Sequence, residues 1–146
     1  MGAAPVIVRG IPDGLLQEAA ELLREAFAAK VAHELRPRDD AQAVRVIAAC
    51  IEPSHALVAL DDRGVAGLAA IEYRGASFLL LRFDVLVREL GYPGALWRKA
   101  YSLIDLIATP RSKHTARVEV LAVRSDLRGC GLGGVLIAAA IERAAS

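Results

Sequence analysis

The chain has 146 residues, 55% of them hydrophobic and 24% charged, with a net charge of +1. That length closes one hydrophobic core without disulfides or metals, and the apolar fraction excludes a disordered tail. The near-neutral balance leaves no electrostatic footprint for wrapping nucleic acid, and 5% aromatic content offers no base-stacking platform. Arg outnumbers Lys but is scattered through the chain, which marks a compositional bias and not a basic patch.

The two cysteines, Cys50 and Cys130, are too few and too isolated for a disulfide framework or a zinc site. A reduced, cytoplasmic compartment is the expectation. The opening MGAAPVIVRG lacks the basic and long apolar regions of a signal peptide, and Val6 breaks the myristoylation pattern. No apolar run approaches the ~20 residues that span a bilayer. A soluble protein with no membrane partner is expected.

In chain order, Pro5–Arg9 is a short β-branched strand. From Leu15 the apolar positions Leu15, Ala19, Leu22, Leu23, Ala26 and Phe27 have helical spacing, which predicts one helix to about His33, ended before Pro37. Asp39 or Asp40 can cap a second helix that buries Val44, Ile47, Ala48 and Ile51, with Cys50 packed beside that stripe. Ala56–Leu60 and Val65–Tyr73 are two strands joined by the turn Asp61-Asp62-Arg63-Gly64.

Residues 76–108 leave the strand pattern. Leu79, Phe83, Leu86, Val87 and Leu90 form one helical stripe, and Leu96, Trp97, Ala100, Leu103, Ile104 and Ile107 form another. The prediction is a helical hairpin around Gly91-Tyr92-Pro93-Gly94, returned by a polar loop to residue 114. It caps the sheet or pairs across a dimer, or it serves as a lid or a greasy acceptor pocket around Trp97 and Tyr101. Ala116–Val123 is the clearest strand, with Arg117, Glu119, Leu121 and Val123 on one face and Val118, Val120 and Ala122 on the other. A last helix runs from Leu132 to the end. There is no internal repeat.

Between that strand and that helix lies Arg128-Gly129-Cys130-Gly131-Leu132-Gly133-Gly134. Glycines let successive N–H groups point into one concavity, and the helix that starts there adds unpaired N–H groups and the positive end of its dipole. Such a site suits phosphate or pyrophosphate. The loop has no Lys, so it is not the phosphate loop of nucleotide hydrolysis. GxGxxG matches at Gly129, Gly131 and Gly134. In dinucleotide folds, however, the glycines follow the first strand directly, and an acidic residue comes about twenty residues later. Here the motif sits near the end of the sequence.

The stretch Leu121-Ala122-Val123, a short loop, then Arg128-Gly129-Cys130-Gly131-Leu132-Gly133 resembles the signature of the GNAT acetyltransferase superfamily, Gln/Arg-x-x-Gly-x-Gly/Ala after a strand. The preceding order of strand, two helices, hairpin and motif strand is also similar. The resemblance implies a mixed α/β sheet in a single domain over 1–146, with 76–114 as a helical insertion and return loop and with the family's C-terminal strands missing. It implies acetyl-CoA as cosubstrate and an amine acceptor, either a small molecule or a protein N-terminus or Lys, with no metal. Backbone groups of Leu121, Ala122 and Val123 would hold the pantetheine arm. The N–H groups of Gly129, Cys130, Gly131, Leu132, Gly133 and Gly134 would hold the pyrophosphate. Arg128 would brace the loop or approach a phosphate.

Direct attack by an amine needs a group that takes its proton. Glu119, four residues before Val123, is the candidate base or substrate anchor; its alternative is an ion pair with neighbouring strand or helix residues, Arg117 among them. Cys130 occupies the variable position of the motif with no His nearby in sequence, so its amide matters more than its sulfur. His33, His55 and His114 lack ligand spacing. Tyr73, Tyr92 and Tyr101 are candidate donors to the leaving thiolate. The family's next strand would leave strand 116–123 a bare edge if absent. A longer parent chain, an edge completed in a homodimer, and a non-catalytic CoA-binding module that has lost the acceptor half all stand open.

Overall fold

The computed structural model describes residues 3–72, 76–80, 82–98 and 117–145. Four strands, β1 (Val6–Arg9), β2 (Ala56–Asp61), β3 (Gly64–Glu72) and β4 (Arg117–Val123), pair antiparallel in that order. β3 is buried at every position after Gly64. Its near-continuous apolar run, where alternation would leave one face polar, reflects cover on both faces. Helices α1 (Leu16–Ala26) and α3 (Asp40–Cys50) pack with Val58, Leu68, Ala70 and Ala122 on one face. On the other face Leu132, Leu136 and Ala140 of the C-terminal helix (Leu132–Ala145) pack against Ala59, Ala66, Ala69, Leu57 and Ile71. This is the expected α/β architecture; every pairing among the described strands is antiparallel.

The predicted first helix is two. Phe27 leaves helical backbone geometry (φ −118°, ψ 35°), and α2 (Ala28–Glu34) follows it. The break redirects the chain so that Phe27, Val31 and Leu35 all stay against the main core. α3 begins as expected, with the Asp39 carboxylate accepting from Gln42 N–H at 2.8 Å. The buried Gln42 side chain then reaches out of α3. Its Oε1 accepts from Arg38 N–H, and its Nε2 donates to the Glu89 carbonyl. Cys50 is buried, as its place beside the stripe predicts.

The predicted hairpin departs from expectation at its start. Residues 76–80 are not helical: Ile51 and Leu79 form a β-bridge, Phe78 O accepts from Glu52 N–H at 2.7 Å, and Leu80 N–H donates to Cys50 O at 2.9 Å. The reason is which residue the core accepts. Of the apolar run Phe78-Leu79-Leu80 only Phe78 is buried, and the backbone hydrogen bonds go across to residues 50–52 instead of along a helix. Helix α4 (Phe83–Leu90) follows and buries Val85 and Leu86. Residues 92–98 are helical, but Leu96 and Trp97 face solvent and Ala95 is the buried residue. Arg98 donates through Nε to Leu35 O and through Nη1 to Gly94 O, a cation closing the C-terminus of α2. The expectations for 99–116, including Tyr101 and His114, and for Tyr73, lie outside the described residues.

Gly67 of β3 is where the C-terminal helix meets the sheet. A Cβ there would lie 2.9 Å from Leu136 Cδ1 and 3.1 Å from the Ala122 carbonyl oxygen. Gly67→Ala is expected to destabilise the fold by about 1–3 kcal/mol through overpacking. Urea denaturation with an unchanged m-value would show it; wild-type stability would mean that the helix does not sit this close.

Candidate functional site

The site is organised by an irregularity in β4. Ala70 pairs with Val120 and Ile71 pairs with Val118, so Glu119 is an extra, unpaired residue. A bulge of this kind bends the strand and re-aims a side chain. Leu121 and Val123 pack on the C-terminal helix side, while Val120 and Ala122 pack on the α1 and α3 side. Regular alternation would send Glu119 to the side of Leu121. The bulge turns it to the side of Val120, and the two residues line one cavity. The predicted face of Arg117, Glu119, Leu121 and Val123 is therefore broken at Glu119. Arg117 pairs instead with Glu72 on β3, at 2.9 Å.

The cavity has a volume of about 140 Å³ and lies between α1, α2, α3 and the bulge. Its wall is apolar, built by Leu23, Phe27, Val31, Ile47 and Phe78, and the Glu119 carboxylate is set into it. Both carboxylate oxygens of Glu119 have partners. Ser77 Oγ lies 2.5 Å from Oε1, and Phe78 N–H donates to Oε2 at 2.9 Å. Glu119 thus ties the extended segment 76–80 to β4. A carboxylate has about four lone-pair positions, so it retains capacity for a further donor.

β4 is an edge strand among the described residues. Arg124 N–H donates to Ala66 O at 2.9 Å, and the register continues with Gly67 opposite Val123 and Ala69 opposite Leu121. In an antiparallel pair the hydrogen-bonded positions alternate, so Leu121 and Val123 turn their N–H and C=O groups to the open side. The Val123 carbonyl accepts from Arg128 Nε at 3.1 Å. The Arg128 side chain therefore reaches back from the loop to the end of β4.

Beyond β4 a 3-10 turn (Ser125–Leu127) leads into the glycine loop. Gly129 and Gly131 have φ of +81° and +91°, a region that residues with a Cβ rarely adopt. Val135 N–H donates to Gly131 O, the first turn of the C-terminal helix. The N–H groups of Leu132, Gly133 and Gly134 therefore have no acceptor within the helix. The Leu132 side chain is buried against the sheet, and the Gly133 Cα lies over Leu121 and Val123. The exposed Cys130 thiol donates to Leu127 O. An open strand edge leading to a turn of free N–H groups fits an extended ligand that ends in phosphate.

The reading of the sequence missed what holds this loop in place. Arg124 bonds both Asp61, in the β2–β3 turn, and Asp126, and Arg63 pairs with Asp126 at 2.8 Å. The charges of both turns are visible in the sequence. Only the register of β3 against β4 brings them together. Hydrogen bonding to Arg124 holds the carboxyls of Asp61 and Asp126 below the usual carboxylate range and raises the Arg124 guanidinium further. Tyr92 is exposed and meets Phe83 edge-on, and among the described residues no cluster of His, Cys, Asp or Glu could hold a metal. None of the described helices is long and apolar enough to cross a membrane.

The sign of the pH dependence follows from the direction of these shifts. The stabilisation from Asp61 and Asp126 is present above the unfolded carboxyl pKa of about 4 and is lost as pH falls through the lowered folded values. Arg124→Met is expected to lower the thermal midpoint clearly at pH 6. The gap to wild type should narrow by pH 3; a gap of equal size at both values would show that the ion pairs do not anchor the loop.

The chain matches the model of the acetyltransferase (GNAT) family over residues 16–146. It is similar in structure to a histone acetyltransferase HPA2 and related acetyltransferase from Corynebacterium glutamicum, at 18% identity and a TM-score of 0.52, over 97% of this chain and 72% of that one. It is also similar to arylalkylamine N-acetyltransferase 2 from Aedes aegypti, at 18% identity and a TM-score of 0.59, over 96% of this chain and 70% of that one. No curated protein matches it. The structural likenesses show the fold, and the family match covers the glycine loop, the bulged strand and both helical layers: the chain belongs to the GNAT acetyltransferase family.

Proposed function

We propose that the protein is an N-acetyltransferase that moves an acetyl group from acetyl-CoA to an amine by direct attack. The observation that carries this is one strand with two adjoining features: an open edge running into a turn of free N–H groups, and a bulge that aims a carboxylate into an apolar cavity. Four residues of strand separate Glu119 from Val123, about 13 Å. The two features thus stand apart along an extended ligand.

Acetyl-CoA supplies an acetyl group activated as a thioester. The N–H groups of Gly129 through Gly134 hold its pyrophosphate, and the outward backbone groups of Leu121 and Val123 receive the pantetheine arm as they would an added strand. Arg128 keeps the Val123 carbonyl oriented. An ammonium cannot attack, so one proton leaves it first, and Glu119 is placed to take that proton or to anchor the cation. As the C–N bond forms and the C–S bond breaks, the second proton passes to the departing thiolate. The products are an amide, a free thiol and one proton. The acceptor is an amine, as a small molecule or as a protein N-terminus or Lys.

A second reading, a CoA-binding module without catalysis, is favoured by one observation. Both Glu119 oxygens already serve Ser77 and Phe78, as a purely structural residue would.

Gly131→Glu is expected to abolish CoA binding measured by calorimetry, because it places a side chain at φ +91° and a negative charge in the anion site. Unchanged affinity would refute the loop assignment. Glu119→Gln should lower turnover about 100-fold or more with CoA affinity little changed. A fall in thermal midpoint with unaltered turnover would assign Glu119 to structure and favour the module.

A further inference from the structure

Resting on the acetyl transfer proposed above, we infer that the acceptor is a compact apolar primary amine, its alkyl or phenyl body seated in the cavity beside Glu119 and its nitrogen at that carboxylate. Three observations fix the class. First, size: the cavity holds about 140 Å³, close to the roughly 150 Å³ apolar cavity that accommodates benzene in another protein. A group of about six heavy atoms fills it. Second, lining: Leu23, Phe27, Val31, Ile47 and Phe78 present carbon to the interior. A second cation or a peptide group placed among them would lose its hydration without a partner.

Third, the placement of charge: three ionisable side chains line the cavity, and two of them belong to its rim. Lys30 is largely exposed and lies 4.0 Å from Glu34 across one helical turn, a pair that solvent screens. Glu34 and Glu119 are both partly buried, but Glu34 is paired with Lys30, whereas Glu119 is held by the Ser77 hydroxyl and the Phe78 amide. Among the described residues that line the cavity, the carboxylate without a cationic partner in it is thus the one that the bulge aims there. A ligand matched to this surface carries one cation at one end and hydrocarbon beyond it.

The test uses the full chain and two readouts. Thiol release from acetyl-CoA is followed with the n-alkylamines from ethyl to decyl, with benzylamine and 2-phenylethylamine, and with putrescine and a lysyl peptide. Binding of the same amines to the protein alone is measured by calorimetry. Both kcat/KM and affinity should rise about three- to fourfold per methylene until the chain has about six carbons, then level or fall. Glu119→Gln should weaken hexylamine binding at least about tenfold. Val31→Phe, which fills the cavity from α2, should shift the optimum to shorter amines while CoA binds as in the parent.

Transfer with a preference for putrescine or the peptide, or with no dependence on chain length, would overturn the inference and leave the transferase assignment standing. Chain-length-dependent binding that needs Glu119, without transfer to any amine, would uphold the cavity's ligand class and count against the transferase. Absence of amine binding and of chain-length-dependent transfer would also overturn the inference. Should Val31→Phe fail to fold, the series and the Glu119→Gln binding comparison still decide between these outcomes.

Discussion

One extra residue in β4 sets the geometry on which the rest of the site depends. A strand with regular pleat presents alternate residues to opposite faces, and β4 does so from Val120 to Val123. At Glu119 the pairing with β3 slips by one residue. Below the slip, every side chain changes face. Without the bulge, Glu119 would point toward the C-terminal helix, the side of Leu121 and Val123. With it, the acid reaches the α1 and α3 side and meets the Ser77 hydroxyl and the Phe78 amide. The same slip leaves Leu121 and Val123 with their backbone groups on the open edge.

The glycine loop depends on this strand for direction and on a separate device for position. Direction comes from β4, because Arg128 reaches back to the Val123 carbonyl and Gly133 lies over the strand. Position comes from Arg124, which joins the hairpin turn at Asp61 to the loop at Asp126. Glu18 adds a tie from α1, accepting from Val65 N–H at the far side of the same turn. A loop with two glycines in left-handed geometry would otherwise have few conformational restraints. The staple is made of side chains beside the loop, so the N–H groups themselves stay free.

The cavity shows how a departure in one element serves another. Had Phe78 and Leu79 joined α4, as a helical hairpin over 76–108 implies, the Phe78 amide would have been committed to a helix instead of to Glu119. The extended segment 76–80 instead is laced to Glu52 and Cys50 on one side and to Glu119 on the other. It supplies Phe78 as part of the cavity wall. The break at Phe27 has a similar effect, since it brings Phe27, Val31 and Leu35 round the cavity from a chain that would otherwise run straight.

The order of strands and helices, the Asp39 cap, the burial of Cys50 and the glycine loop were legible in the sequence, because each rests on local chemistry: apolar period, capping side chains and backbone freedom at glycine. The family resemblance was legible for the same reason, as Leu121 to Gly133 is one contiguous stretch. The face that Glu119 occupies was not, since a bulge is a property of two strands in register and no pattern in β4 alone records it. The Arg124 staple joins residues more than sixty positions apart, and the extended segment 76–80 takes its backbone partners from residues 50–52, far away in sequence. By itself the sequence determined which elements form and where the anion loop lies; tertiary structure alone decided where the acid points and what encloses it, because those depend on strand register and on long-range packing.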